Sequence, residues 1–231
     1  MKLFGARAGR PGIAASAHEA PEPAPDCALC PRLAAFRRAN RSAYPAFHNA
    51  PVPSFGPLAA RFLVVGLAPG LKGANRTGRP FTGDYAGTLL YGSLIRHGFA
   101  HGAYGAAIDD GLALVDCRIT NAVRCVPPEN KPVPAEIAAC NPFLGAEIAA
   151  MGGLRAILAL GAIAHDAVLT ALEVKRSRHR FAHGAEHPLA DGLALFDSYH
   201  CSRLNTNTGR LTEAMFDQVM AGIRRQIDGS D

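Results

Sequence analysis

The chain has 231 residues, 48% of them hydrophobic, and a formal net charge of +5. That length can bury one full core, so one compact domain is expected, and without an apolar run of about 18 residues a membrane-spanning helix is excluded. The modest positive charge fits a polyanionic partner, although many ordinary soluble proteins carry as much.

Residues 1–25 are rich in Ala, Pro and Gly and lack the continuous apolar stretch of a secretory signal. Glu19, Glu22 and the following Asp26 argue against an organelle transit peptide. A flexible N-terminal tail over 1–25 is therefore expected, with a single domain over 26–231 and a cytoplasmic location.

A short helix follows in "CALCPRLAAFRRAN". The run "RFLVVGLAP" (61–69) is apolar and β-branched, ends in Gly and Pro, and predicts a buried parallel strand. A glycine-rich loop leads to helical spacing over 86–99. A second strand is expected within 114–125, and "VPPENKPVP" breaks it. Helix 134–151 begins on Pro134, suited to a first turn. Strand 154–161, helix 162–172, strand 193–202 and helix 212–227 complete the pattern, the last capped by Thr212. The basic stretch "KRSRHRFAHGAEH" (175–187) reads as a solvated loop. Strands alternating with helices predict a three-layer α/β/α sandwich around a central, mostly parallel, four-stranded sheet. Its working loops lie beyond the carboxyl ends of the strands, at 66–87, 118–134 and 199–211.

Six cysteines are present, and nothing in the sequence marks the secretion that a disulfide framework would need. Cys27 and Cys30 form C-x2-C, and Cys125 and Cys140 are separated by fourteen residues. Two pairs of soft thiolates suit either structural zinc or an iron–sulfur cluster. Cys117 and Cys201 fall inside predicted strands and read as buried apolar side chains.

The loop "GLAPGLKGANRTGRPFTGD" matches neither G-x-G-x-x-G nor the Walker pattern. It offers glycine flexibility with Asn75, Arg76, Arg79, Phe81 and a single acid, Asp84. The second strand delivers Asn121, and the fourth delivers His200 and Ser202. An aromatic ring, an amide, a carboxylate and an imidazole at one sheet edge are the equipment for handling a nucleobase. The six histidines at 97, 101, 165, 179, 183 and 187 read as surface or structural.

With C-x2-C near the N-terminus, "GLAPGLKGANRTGRPFTGD", "TNAVRCVPPENKP" and "YHCSRLNTNTGRLT", the chain resembles the family 5 (type B) uracil-DNA glycosylases from about Cys27 to its last helix. The resemblance implies a base-flipping repair enzyme that hydrolyses the N-glycosidic bond of uracil in DNA and leaves an abasic site. It implies a structural 4Fe–4S cluster on Cys27, Cys30, Cys125 and Cys140, and thereby favours iron over zinc. It assigns water activation to Asp84, base contact to Asn121, stacking to Phe81 and charge stabilisation on the base oxygen to His200. Gly66, Ala68, Pro69, Gly70 and Ser202 would line the base pocket. Ala68 stands where other families place a catalytic Asp or Asn, leaving room for deaminated purines such as hypoxanthine or xanthine. Asn75, Arg76, Arg79, Arg203, Asn207 and Arg210, with Thr208 as a weaker candidate, would contact DNA, and Leu204 would wedge into the gap. The last motif departs from the usual His-Pro-Ser at Cys201. The expected partner is uracil-containing DNA, bound by a monomer with no membrane involved. A family 4-like enzyme restricted to uracil and a non-catalytic metal-bearing DNA-binding module are the alternatives. Against the first, family 4 reads Gly-Glu-[Ala/Gly]-Pro-Gly where this chain has Gly66-Leu67-Ala68-Pro69-Gly70.

Overall fold

The computed structural model describes residues 20–229. Of the tail expected over 1–25, residues 1–19 lie outside the described residues. Glu22 is held: its carboxylate pairs with Arg124 at 2.8 Å and accepts the Ser54 N–H at 3.1 Å.

Helix α1 (Pro31–Ala43) starts on a proline directly after Cys30. Strand β1 (Phe62–Gly66) is buried at every position, and loop helix α2 (Ala74–Thr77) and helix α3 (Tyr85–Arg96) follow it. A two-residue hairpin, β2 (Ala100–His101) with β3 (Ala113–Leu114), precedes β4 (Cys117–Asn121). Then come α4 (Pro134–Ala150), β5 (Ala156–Leu160), α5 (Ala162–Ala171), β6 (Glu186–Pro188), β7 (Ala194–Ser198), α6 (Arg203–Asn207) and α7 (Glu213–Asp228). Thr212 caps α7 as expected, its Oγ1 accepting the Met215 N–H at 3.2 Å.

The sheet order is β4-β1-β5-β7-β6, with the first four strands mutually parallel and β6 antiparallel to β7. The sheet therefore has five strands, not the expected four. Strand β6 is three residues long, ends in proline and carries no run of β-branched or aromatic residues, so it gave no strand signal inside the basic stretch.

Successive residues of a strand point to opposite faces, and β1 divides accordingly. Phe62 and Val64 join Leu90, Leu94, Phe216 and Ile223 of α3 and α7 on one face. Leu63 and Val65 join Leu144, Ile148, Ala164 and Val168 of α4 and α5 on the other. Both faces of the parallel sheet are thus covered, giving the three-layer α/β/α arrangement.

Two polar assemblies tie loops to this frame. Glu147, fully buried on α4, pairs with Arg118 and Arg124 at 2.6 Å each. Asp197, fully buried on β7, accepts from His165 Nδ1 of α5 at 2.8 Å and His187 Nε2 of β6 at 3.0 Å, and so ties both elements to that strand. These two histidines are structural, as the sequence indicated.

Candidate active site

The carboxyl ends of the parallel strands bring three loops together. Gly66 ends β1 beside Asn121, which ends β4, in direct register. Residue 66 must be glycine here, because a Cβ would collide with the Phe81 ring and the Asn121 side chain. The missing side chain lets a ring from one loop and an amide from another meet over the strand end.

Phe81 is buried and adopts φ 51°, a region that non-glycine residues rarely occupy. Neighbouring backbone is anchored on both sides: Tyr104 Oη donates to the Phe81 carbonyl at 3.0 Å, and Tyr91 Oη to that of Pro80 at 2.6 Å. The Phe81 ring lies 5.9 Å from the His200 ring, centroid to centroid, at 31°.

Asp84 is the N-cap of α3, with Oδ1 accepting the Ala86 N–H at 3.2 Å. Capping and lining the cleft are both done by this one side chain. It is open to solvent within the cleft yet has protein on most sides, and that burial raises its pKa above the ordinary value of 3.8 against the pull of nearby His200. Burial lowers the pKa of His200 below 6.5, so the imidazole is neutral at pH 7 and can serve as a hydrogen-bond donor. The turn that carries it is clamped by Asn205 Nδ2, which donates to the His200 carbonyl at 2.8 Å. Cys201, the departure from the usual proline, is fully buried in the core below.

A cleft of about 330 Å³ results, lined by Ala68, Pro69, Gly70, Phe81, Asp84, Asn121, His200, Ser202 and Arg203. This volume lies within the usual range of small-ligand sites. Gly66 sits beneath the cleft and supports it. Ser202 has a second task, capping α6 through the Asn205 N–H at 3.4 Å. Sequence reasoning missed Leu67, Ala74, Tyr85, Ala86 and Asn130, which also line the cleft. Tyr85 had a signal as the neighbour of Asp84, and Asn130 stands inside the "VPPENKP" stretch.

Around the mouth, Leu204 is 73% exposed. Arg203 and Arg210 are exposed and lie over the rings of Tyr85 and Tyr199, at 5.2 and 4.5 Å from the centroids. Arg76, Asn207 and Thr208 are also exposed. Two of the expected DNA contacts are corrected. Asn75 is buried, its Nδ2 donating to Asn49 Oδ1 at 2.9 Å. Arg79 is buried in a two-bond pair with Asp110, at 2.9 and 2.7 Å. Their partners lie 26 and 31 residues away in sequence, which local pattern does not reveal.

Cys27, Cys30, Cys125 and Cys140 line one further cavity, beside Arg37, and none of them is in a disulfide. Arg37 Nη1 donates to Cys125 Sγ at 3.5 Å, and the Arg124 N–H to Cys140 Sγ at 3.4 Å. Burial pushes the Cys125 thiol up to about 11. The remaining pair, Cys117 and Cys201, is buried in the core as expected.

A sequence profile of the Uracil DNA glycosylase superfamily matches residues 53–224. The type-5 uracil-DNA glycosylase of Thermus thermophilus is 45% identical over 204 residues, covering 86% of this chain and 93% of that protein. The type-5 enzyme of Pyrobaculum aerophilum is 41% identical over 199 residues, 84% of this chain and 86% of its own length. Type-4 similarity is shorter: the Thermotoga maritima protein is 40% identical over 110 residues, 47% of this chain and 49% of its own. The chain belongs to the uracil-DNA glycosylase superfamily, among the type-5 uracil-DNA glycosylases.

Proposed function

We propose that the protein removes uracil from DNA, hydrolysing the bond between the base and C1′ of a nucleotide turned out of the helix and leaving an abasic site. The observation that carries this reading is the cleft where Asp84, Asn121, Phe81 and His200 converge in a chain of this family. Phe81 stacks on the flipped base, and the Asn121 amide pairs with its Watson–Crick edge. Breaking the bond leaves positive charge on the sugar and negative charge on the base. The Asp84 carboxylate favours the first and orients the attacking water; neutral His200 donates to the base oxygen and favours the second. Ala68 leaves space beside the base, which extends the reading to hypoxanthine and xanthine. Arg76, Arg203, Asn207 and Arg210 hold phosphates, with Thr208 beside them, and exposed Leu204 fills the vacated stack. The protein acts as a monomer in the cytoplasm, where the DNA lies.

A panel of duplexes, each with one damaged base, scored for abasic sites, tests this reading. Uracil is released, fastest opposite guanine where extrusion costs least. His200→Ala lowers the single-turnover rate by about 10²–10³-fold, the loss typical of a transition-state donor. A wild-type chain that releases no base from any of these duplexes overturns the reading.

In the same reading Cys27, Cys30, Cys125 and Cys140 hold a 4Fe–4S cluster. Four thiols around one cavity suit iron–sulfur or zinc. The resemblance carried by C-x2-C with the two later cysteines favours the cluster over zinc. Arg37 and the Arg124 N–H are placed to offset thiolate charge. Cys27 and Cys30 before α1, Cys125 after β4 and Cys140 within α4 would hold the cluster, which would tie these three parts of the chain together. It has no redox role in base release. Anaerobically purified protein is expected to be brown and to contain iron, and Cys140→Ser to lose both; stoichiometric zinc without iron overturns the assignment.

A further inference from the structure

Two exposed arginines at the mouth of the cleft rest on tyrosine rings. Arg203 lies over Tyr85, 5.2 Å from the ring centroid, and Arg210 over Tyr199 at 4.5 Å. Both distances are within the range of a cation–π contact. Among the described residues, neither guanidinium has a carboxylate partner or a hydrogen bond. The other ring-seated arginines differ in this respect. Arg79 lies over Phe55 and Tyr91 but spends its donors on Asp110. Arg224 lies over Phe99 but pairs with Asp228.

A ring face offsets the charge of a guanidinium only in part. It steadies the side chain and leaves the N–H donors, which lie in the guanidinium plane, open to an acceptor. A phosphate takes two such donors at once, and an arginine already seated loses less rotamer freedom in giving them. The seats are themselves tied to the site. Tyr85 is the first residue of α3 and directly follows Asp84, the cap of that helix. Tyr199 directly precedes His200. Its ring stacks on that of His183 at 5.0 Å and 16°, and its N–H donates to His183 Nδ1 at 3.3 Å. Exposed Leu204 stands between the two arginines in the chain.

We propose that Tyr85 and Tyr199 are positioning residues, each holding its arginine ready for a DNA phosphate near the flipped nucleotide. The arginines carry the grip, and the tyrosines act through them. Each seat is the chain neighbour of a catalytic side chain, so a backbone gripped at these two points is set in register with Asp84 and His200. This inference rests on the DNA-binding reading given above and adds to it the two rings that fix the contacts.

The test is fluorescence anisotropy of the full chain on a duplex with one tetrahydrofuran abasic analogue, over a range of salt. That duplex cannot be cleaved and has no base at the site, so contacts to the base do not enter. Arg203→Ala and Arg210→Ala are each expected to weaken binding and to reduce the slope of log affinity against log salt by about 1. Tyr85→Leu and Tyr199→Leu keep apolar bulk without a π face. Each is expected to lose about 2–5-fold in affinity, the size of an exposed cation–π contact. Phenylalanine restores the ring, so Tyr85→Phe and Tyr199→Phe should bind as the wild type does. Tyr85→Leu should add no loss in an Arg203→Ala background, nor Tyr199→Leu in Arg210→Ala, because each ring acts through its arginine. Full affinity in both leucine variants, or losses that add in full to those of the arginines, overturn the seating role alone. A phenylalanine variant as weak as its leucine counterpart overturns it too. An unchanged salt slope in both arginine variants overturns the phosphate grip. A wild-type chain that fails to bind the duplex overturns the DNA-binding reading on which the inference rests.

Discussion

Asp84→Asn lowers the single-turnover rate of uracil release by about 10²–10⁴-fold, the usual contribution of a positioned general base, while folding and duplex binding persist. The substitution separates the two tasks of this side chain. Asparagine caps a helix about as well as aspartate, so the start of α3 keeps the Ala86 N–H bond that Oδ1 now accepts. The amide also occupies nearly the same volume in the seat that Gly73 leaves open. What is lost is an oxygen able to take a proton. The working form is the carboxylate, and burial raises its pKa above 3.8. The wild-type rate therefore falls as pH drops through this raised value, at a pH above that of an exposed aspartate. His200, whose pKa burial lowers below 6.5, is neutral at pH 7. The residual activity of Asp84→Asn lacks the limb due to Asp84. Melting curves and fluorescence anisotropy on a uracil duplex check the intact half of the prediction. A variant that binds and cleaves like the wild type removes Asp84 from the mechanism.

The sequence announced Asp84, Asn121 and His200 through where they stand: each follows or ends a strand, and parallel sheets assemble their sites at that edge. Short-range patterns also placed α4 and α7, because Pro134 and Thr212 mark their starts. Long-range pairing was hidden. Nothing near Asn75 or Arg79 points to Asn49 or Asp110, so two polar residues in a basic, glycine-rich loop read as phosphate contacts although both face inward. Asn130 was hidden differently, because its position depends on two consecutive left-handed residues in a proline-rich turn. Strand β6 was invisible because its membership in the sheet comes from β7 and from the Asp197–His187 bond, not from its own three residues.

The buried Arg79–Asp110 pair yields the largest expected loss of stability. Both side chains are at most 5% exposed, and the guanidinium also lies over the rings of Phe55 and Tyr91. Asp110→Ala leaves that cation buried without its counter-charge and frees the Gly105 and Leu112 N–H groups, which donate to Asp110 at 2.9 and 3.1 Å. A loss of about 3–5 kcal/mol follows, or about 6–20 °C in melting temperature for a chain of this size. The hydrogen bond from Arg79 holds the Asp110 carboxyl well below the usual carboxylate range. The stabilisation from this depressed pKa is therefore fully present above the unfolded value near 4 and fades as pH falls toward the folded one. The gap between wild type and Asp110→Ala should stay constant from about pH 5 to 8 and narrow in stronger acid. Replacing both partners by apolar residues of similar size, Arg79→Met with Asp110→Leu, should recover most of the lost melting temperature, since no unpaired charge remains. Base release should not recover with it. Arg79 Nε also donates to Thr82 Oγ1 at 2.7 Å, fixing the chain on both sides of Phe81 in its left-handed conformation. A double variant that melts near the wild-type temperature yet turns over slowly identifies this pair as the support of the stacking ring. Full activity in that variant would reduce the pair to a stabiliser of the fold.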